Sequence, residues 1–255
     1  MNSVVSWRRL LAEFIGTALL VTAVVGSGIM AASLSPNDVG LQLLQNSVAT
    51  AFALGVLILA LGPVSGAHFN PVVSAADWWL GRRHGAGLRL PELAAYCAAQ
   101  ILGASAGSML ANLMFDRSAV TLASTVRTGT HLWLGEVVAT AGLLLLIFAL
   151  VRSGRAAAAP AAVGAYIGAA YWFTSSTSFA NPAVTIGRVF TDTFAGIAPG
   201  SAPAFIGAQL VGLLVGVGLI TALYPHAGAA ADDVVVPHAA SETAEPSATS
   251  SGVTT

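Results

Sequence analysis

The chain has 255 residues, is 56% hydrophobic and only 8% charged, and carries a formal net charge of −1 with a mean hydropathy of +0.79. Soluble domains carry about 25% charged residues, so a water-facing surface cannot be built from this composition and lipid must cover much of the protein. The single cysteine, Cys97, excludes a disulfide framework and reads as a small buried hydrophobe.

In chain order, apolar runs predict spanning helices at 10–32, 42–63, 92–115, 131–151, 159–176 and 203–224. Each is near the roughly 20 residues needed to cross a bilayer. The first run is too long for the core of a cleavable signal and holds Glu13 near its start. Two segments, 70–80 and 181–190, are too short to cross, and both begin with Asn-Pro. Asparagine can cap a helix and proline is tolerated at its first position, so each predicts a half-helix starting at its own asparagine. From Pro225 the chain turns to Ala, Ser, Thr and Pro with acidic residues and no arginine. This composition predicts a disordered tail over 226–255.

All ten basic residues are arginines. Arg8, Arg9, Arg82, Arg83, Arg89, Arg152 and Arg155 fall in connections separated by even numbers of spans, so they share one side; Arg117 and Arg127 fall on the other. The positive-inside rule then places both termini in the cytoplasm of a multi-pass protein of the cell's inner (plasma) membrane.

The chain also repeats itself. Glu13-x-x-x-Thr17 is echoed by Glu136-x-x-x-Thr140, Asn70-Pro71-Val72-Val73 by Asn181-Pro182-Ala183-Val184, and Ala99-Gln100-x-x-Gly103-x-x-x-Gly107 by Ala208-Gln209-x-x-Gly212-x-x-x-Gly216. Three matches in one order predict a duplication, with a first repeat at 1–120 and a second at 121–225. Three spans per repeat is an odd number, so the repeats are antiparallel about an axis in the membrane plane. The half-helices then enter from opposite faces and meet near the midplane. Irregular backbone at that depth survives only inside protein or along a water-filled path, so a polar path is predicted past Asn70 and Asn181. The glycine pairs read as faces for close helix contact.

At these boxes the sequence resembles the aquaporin, or major intrinsic protein, family. Ser65-Gly66-Ala67-His68-Phe69-Asn70-Pro71-Val72 and Phe179-Ala180-Asn181-Pro182-Ala183 look like its paired Asn-Pro-Ala boxes, and the likeness extends over about residues 8–224. The resemblance implies an all-α membrane fold of six helices and two re-entrant half-helices around one pore per subunit, in a homotetramer. It implies that Asn70 and Asn181 donate hydrogen bonds to passing solutes as well as capping their helices. Half-helix dipoles would oppose cations at the midplane. In such a pore Glu13 and Glu136 brace the re-entrant loops rather than relay protons. His68 either lines the vestibule or holds its loop.

Two positions depart from the family pattern. Val72 stands in the first box in place of alanine, and Val184 stands where most members carry the arginine of the narrow filter. Counting from each asparagine assigns the remaining filter positions to Thr50, Ala169 and Ser178, with Ala170 as the alternative on the fifth span. A filter of Thr, Ala, Ser and Val is wider and less polar than that of water-selective members. Arg188, one helical turn beyond Val184, either puts charge at the outer mouth or reaches for the interface. Valine for arginine resembles a bacterial subgroup associated with arsenic resistance. The implied function is passive passage of small neutral solutes: glycerol-like polyols, neutral metalloid acids such as arsenite, and water. The alternatives are a strict water channel, an ion-coupled transporter, and a junction protein without flux. Neither enzyme chemistry, nor a cofactor, a metal site or a nucleic-acid partner is expected.

Overall fold

The computed structural model describes residues 6–82 and 85–224. The predicted tail at 226–255 and Arg83 lie outside the described residues. Among the described residues eight α-helices follow one another: α1 (Trp7–Leu34), α2 (Val39–Ser65), α3 (Pro71–Gly81), α4 (Leu90–Met114), α5 (Thr130–Arg152), α6 (Ala159–Phe173), α7 (Pro182–Gly187) and α8 (Ala202–Leu223). Short 3₁₀ turns, Ala156–Ala158 and Arg188–Phe190, precede α6 and follow α7. No strand occurs among the described residues. Helices α1, α2, α4, α5, α6 (with its 3₁₀ turn) and α8 are long and apolar enough to cross a membrane, and α3 and α7 are the two half-helices.

The helix limits follow from local chemistry. The Asp38 side chain accepts from Leu41 N at the start of α2, and Gly66 ends that helix in the left-handed region, φ 88°. Asn70 and Asn181 cap α3 and α7, accepting from Val72 N and Ala183 N at 3.1 and 3.0 Å, with Pro71 and Pro182 at the first helical position. Helix α6 ends at Phe173, three residues before the expected limit, because Thr174 turns extended into the loop that leads to Asn181. The last turn of the second half-helix tightens from α to 3₁₀ at Arg188.

The molecule inverts the usual distribution of polarity. Large apolar side chains such as Phe52, Leu59, Leu102 and Trp172 face outward, while Glu13, Glu136, Gln100 and Gln209 are fully buried. This suits a chain solvated by hydrocarbon outside and polar only within. Helix α4 lies directly on α1: a Cβ added at Gly103 or Gly107 would meet Phe14 O at 2.3 Å or Ala18 O at 2.2 Å. Helix α8 meets α5 at Gly212 and Gly216 less tightly, with Thr140 Cβ and Leu144 Cβ at 2.7 and 3.1 Å. The expected glycine faces are therefore contact faces, and they close the bundle around the two half-helices.

Candidate functional site

Each re-entrant loop is built on a buried carboxylate. Glu13 Oε1 accepts from Ser65 Oγ at 2.7 Å and His68 N at 3.0 Å, and Oε2 accepts from Phe69 N and Gln100 Nε2, both at 2.7 Å. Glu136 repeats the pattern: Phe179 N donates to Oε1 at 2.8 Å, and Ala180 N and Gln209 Nε2 donate to Oε2 at 2.8 and 2.7 Å. The glutamines then tie each carboxylate to its half-helix through Ser74 Oγ at 3.0 Å and Thr185 Oγ1 at 2.9 Å. Arrays of donors of this kind fix a carboxyl group's position.

The loops need such bracing. Ala67 and Phe69 have φ of 50° and 48°, and Ser178 and Ala180 have φ of 50° and 48°. Non-glycine residues in the left-handed region cost about 1–2 kcal/mol each. The same alternation at both loops lets two successive N–H groups reach the glutamate while the carbonyl of the second residue faces the partner loop. Asn70 Nδ2 donates to Ala180 O at 2.8 Å, and Asn181 Nδ2 donates to Phe69 O at 2.7 Å. The two boxes are thus stapled to each other through their own asparagines. Val72 fits this junction: it is buried, its amide caps on Asn70, and Ala183 is its counterpart.

A cavity with an empty volume of about 660 Å³, open solvent included, is lined by both asparagines. Its apolar wall comes from stripes at spacing four: Leu20 and Val24 on α1, Leu54 and Ile58 on α2, Leu143 and Ile147 on α5, and Val163 and Ile167 on α6. The remaining lining comes from the two re-entrant loops, with His68, Asn70, Ser178 and Asn181 as its polar residues. His68 both faces the cavity and is held, with Nδ1 3.0 Å from Ser74 Oγ and its ring 5.4 Å from that of Tyr96. No aspartate or glutamate lines the cavity among the described residues.

Of the expected filter residues, Thr50, Ser178 and Val184 line the cavity. Ala169 does not: it is exposed on the outer side of α6, and the alternative, Ala170, is buried without reaching the cavity. The α6 residue at this level is Tyr171, whose Oη is 3.2 Å from Thr50 Oγ1. The inward stripe of α6 (Val163, Ile167, Tyr171) matches that of α2 (Thr50, Leu54, Ile58). Tyr171 lies ten residues before its asparagine, however, while Ile58 lies twelve before its own. Counting back from the boxes therefore misses by two residues.

Arg188 is the second correction to a small, uncharged filter. Its side chain is 3% exposed, lines the cavity beside Val184, and does not reach for the interface. Its Nε donates to Ala195 O, and its guanidinium carbon lies 3.4 Å from the centroid of the Phe179 ring. Arg127 approaches the same ring at 5.3 Å. Its Nε and Nη2 donate to Gly196 O at 2.9 Å and Phe194 O at 3.2 Å. Burial pulls the Arg127 guanidinium below the usual arginine range. Tyr171, Phe179 and Arg127 are missed by motif reading because no box contains the first and third, and Phe179 acts through its ring rather than its position. The inward spacing of Val163, Ile167 and Tyr171 is the signal that finds Tyr171.

Comparison with known proteins agrees with this architecture. The Major intrinsic protein family profile matches residues 1–180. The chain is 51% identical over 213 residues to the aquaglyceroporin AqpS of Rhizobium meliloti (strain 1021), covering 84% of this chain and 88% of that protein. It is 33% identical over 215 residues to the aquaporin AqpM of Methanothermobacter marburgensis, covering 74% and 85% respectively. Among solved structures it resembles the aquaglyceroporin from Plasmodium falciparum with a TM-score of 0.63 at 20% identity, over 86% of this chain and 98% of the other. That last likeness concerns the fold. With six spans, two stapled half-helices and these relatives, the chain is a multi-pass membrane protein that belongs to the major intrinsic protein family.

Proposed function

We propose that the protein is a passive channel for small uncharged solutes, with glycerol-like polyols as its main class and neutral metalloid acids such as arsenous acid and water as further ones. The observation that carries this reading is the two-sided wall. A polyol has hydroxyls on one edge and C–H groups on the other. Its hydroxyls meet Asn70, Asn181, Ser178 and the re-entrant carbonyls, and its carbon edge slides along the Leu, Ile and Val stripes. Each asparagine spends one N–H on the partner loop and keeps one for the solute. Arsenous acid is likewise compact, neutral and rich in hydroxyls. The name aquaglyceroporin carried by the relative at 51% identity supports the same class.

Cations are opposed for separable reasons. Both half-helices direct their N-terminal ends at the midplane, where the dipoles repel cations, and Arg188 adds a fixed charge at one mouth. A cavity wall without carboxylates disfavours the ion-coupled transporter. In this reading residues 1–120 and 121–225 form the two repeats, the subunits assemble as a homotetramer in the inner membrane, and the termini face the cytoplasm. Thr50, Tyr171, Ser178, Val184 and Arg188 form the filter.

The ring of Tyr171 and the guanidinium of Arg188 at one mouth favour a second reading, a strict water channel. Proteoliposome swelling in water, glycerol and arsenous acid gradients separates the two. The first reading expects flux of all three and a loss of glycerol and arsenous acid flux in Val184→Arg. Water flux alone selects the second, and dependence on a proton or sodium gradient rejects the channel class.

A further inference from the structure

We propose that the Arg188 end of the cavity, next to the loops 115–129 and 191–201, contains a binding site for a compact oxyanion, built on Arg188 and reinforced by the charge of Arg127 on the same aromatic ring. Three consecutive carbonyls, of Phe194, Ala195 and Gly196, hold the two guanidinium groups against the ring of Phe179. Arg127 is further fixed by its backbone amide, which donates to Ser201 Oγ at 3.0 Å. No carboxylate forms an ion pair with either arginine among the described residues. The nearby Glu136 spends its oxygens on Phe179 N, Ala180 N and Gln209 Nε2. The mouth therefore holds two positive charges that carbonyl dipoles position but do not neutralise.

The donors are free where a ligand would need them. Only Nε of Arg188 is hydrogen-bonded to protein among the described residues. Its Nη nitrogens are not sealed from solvent, and the residue lines the cavity at 3% exposure. A planar guanidinium presenting two Nη donors matches two oxygens of one anion, and such charge-assisted bidentate pairs are the strong ones. The low exposure of Arg188 reduces the screening that weakens arginine–anion pairs at open surfaces. The hydroxyls of Tyr171 and Thr50, 3.2 Å apart on the facing wall, add a neutral donor.

Occupancy has a consequence for flux, and this part rests on the channel reading. Moving inward, the anion would exchange both arginines for the side chains of Leu20, Val24 and Leu54, at the full cost of burying a charge beside apolar groups. It stays at the mouth and obstructs the path of neutral solutes.

Binding is tested on the full-length protein in detergent, by following thermal unfolding in sodium sulfate against sodium chloride at matched ionic strength. Sulfate is expected to raise the wild-type midpoint more than that of R188Q, and R127Q is expected to need roughly tenfold more sulfate for the same shift, the loss of one charge-assisted contribution. R188K, which keeps the charge but not the fork, should fall between wild type and R188Q. Equal sulfate responses in wild type, R188Q and R188K overturn the site. In proteoliposomes, external sulfate should slow glycerol flux several-fold in wild type and not in R188Q, each compared with its own sulfate-free rate. Unchanged wild-type flux at sulfate concentrations that saturate the thermal shift overturns the obstruction. Absence of glycerol flux without sulfate counts against the channel reading instead, and the thermal titration then decides the site alone.

Discussion

Replacing Glu13 with glutamine tests how the first re-entrant loop is held. The carboxylate accepts four hydrogen bonds, two on each oxygen. A glutamine keeps one acceptor oxygen and puts an NH₂ in place of the other. Side-chain partners can adjust: the Ser65 hydroxyl can rotate, and Gln100 can present its Oε1, which has no partner. Backbone cannot. Whichever way the new amide sits, either His68 N or Phe69 N loses its acceptor in a fully buried setting. One orphaned buried donor costs about 1–3 kcal/mol. Bonds to an amide oxygen are also weaker than those to a carboxylate, so the remaining bond loses strength as well and about 2–4 kcal/mol is expected for Glu13→Gln. Glu13→Ala orphans both amides and should cost roughly twice as much. The left-handed Ala67 and Phe69 are then released, and the Phe69 carbonyl moves off Asn181. Thermal unfolding in detergent measures the stability loss, and glycerol flux in proteoliposomes measures the loop. A Glu13→Gln protein as stable as wild type, or a Glu13→Ala protein no worse than Glu13→Gln, would refute the reasoning.

Ala169→Leu should leave solute flux unchanged because the side chain faces away from the cavity, whereas Tyr171→Ala should raise glycerol flux relative to water; stopped-flow light scattering reads both. Gly107→Ala places a methyl 2.2 Å from the Ala18 carbonyl and must push α4 off α1, costing about 1–3 kcal/mol. Gly218→Ala, with nothing within 4 Å, is the matched control and should unfold at the wild-type temperature. Asp192 accepts from Ser124 N and Oγ at 2.9 and 2.8 Å, and these bonds lower its carboxyl below the ordinary value of 3.8. A depressed carboxyl contributes stability above its unfolded pKa and loses it as pH falls through the folded one. The 115–129 loop should therefore loosen only below about pH 4. Hydrogen exchange at Ser124 checks this, and Asp192→Asn should remove the pH dependence.

The architecture was open to sequence reading because lipid imposes it. Span length and two Asn-Pro boxes are dictated by the bilayer and by helix capping, and all six spans and both half-helices lie where those rules put them. The supporting carboxylates were also legible, since an ionisable residue inside a span needs a reason. The filter was less so. Register along α6 depends on how many residues separate its inward positions from Asn181, and Tyr171 stands two residues nearer its asparagine than Ile58 does to Asn70. A count from the box therefore lands on Ala169, on the outward side. Arg188 was visible as a residue one turn past Val184, but its inward aim depends on the 3₁₀ turn at its position and on the carbonyl of Ala195, which no local pattern announces.

The stapling of the two boxes also governs the order in which the molecule can be made. During synthesis Asn70 emerges 110 residues ahead of Ala180, whose carbonyl it needs, and Phe69 waits 112 residues for Asn181. Until the later half is inserted, a re-entrant segment sits in the bilayer with its asparagine amide and its tip carbonyl unsatisfied. The first half on its own carries the Glu13–Gln100 support but lacks the partners that close its loop tip. Mutations in the second box are expected to trap it there, so their harm should appear in assembly yield before it appears in transport.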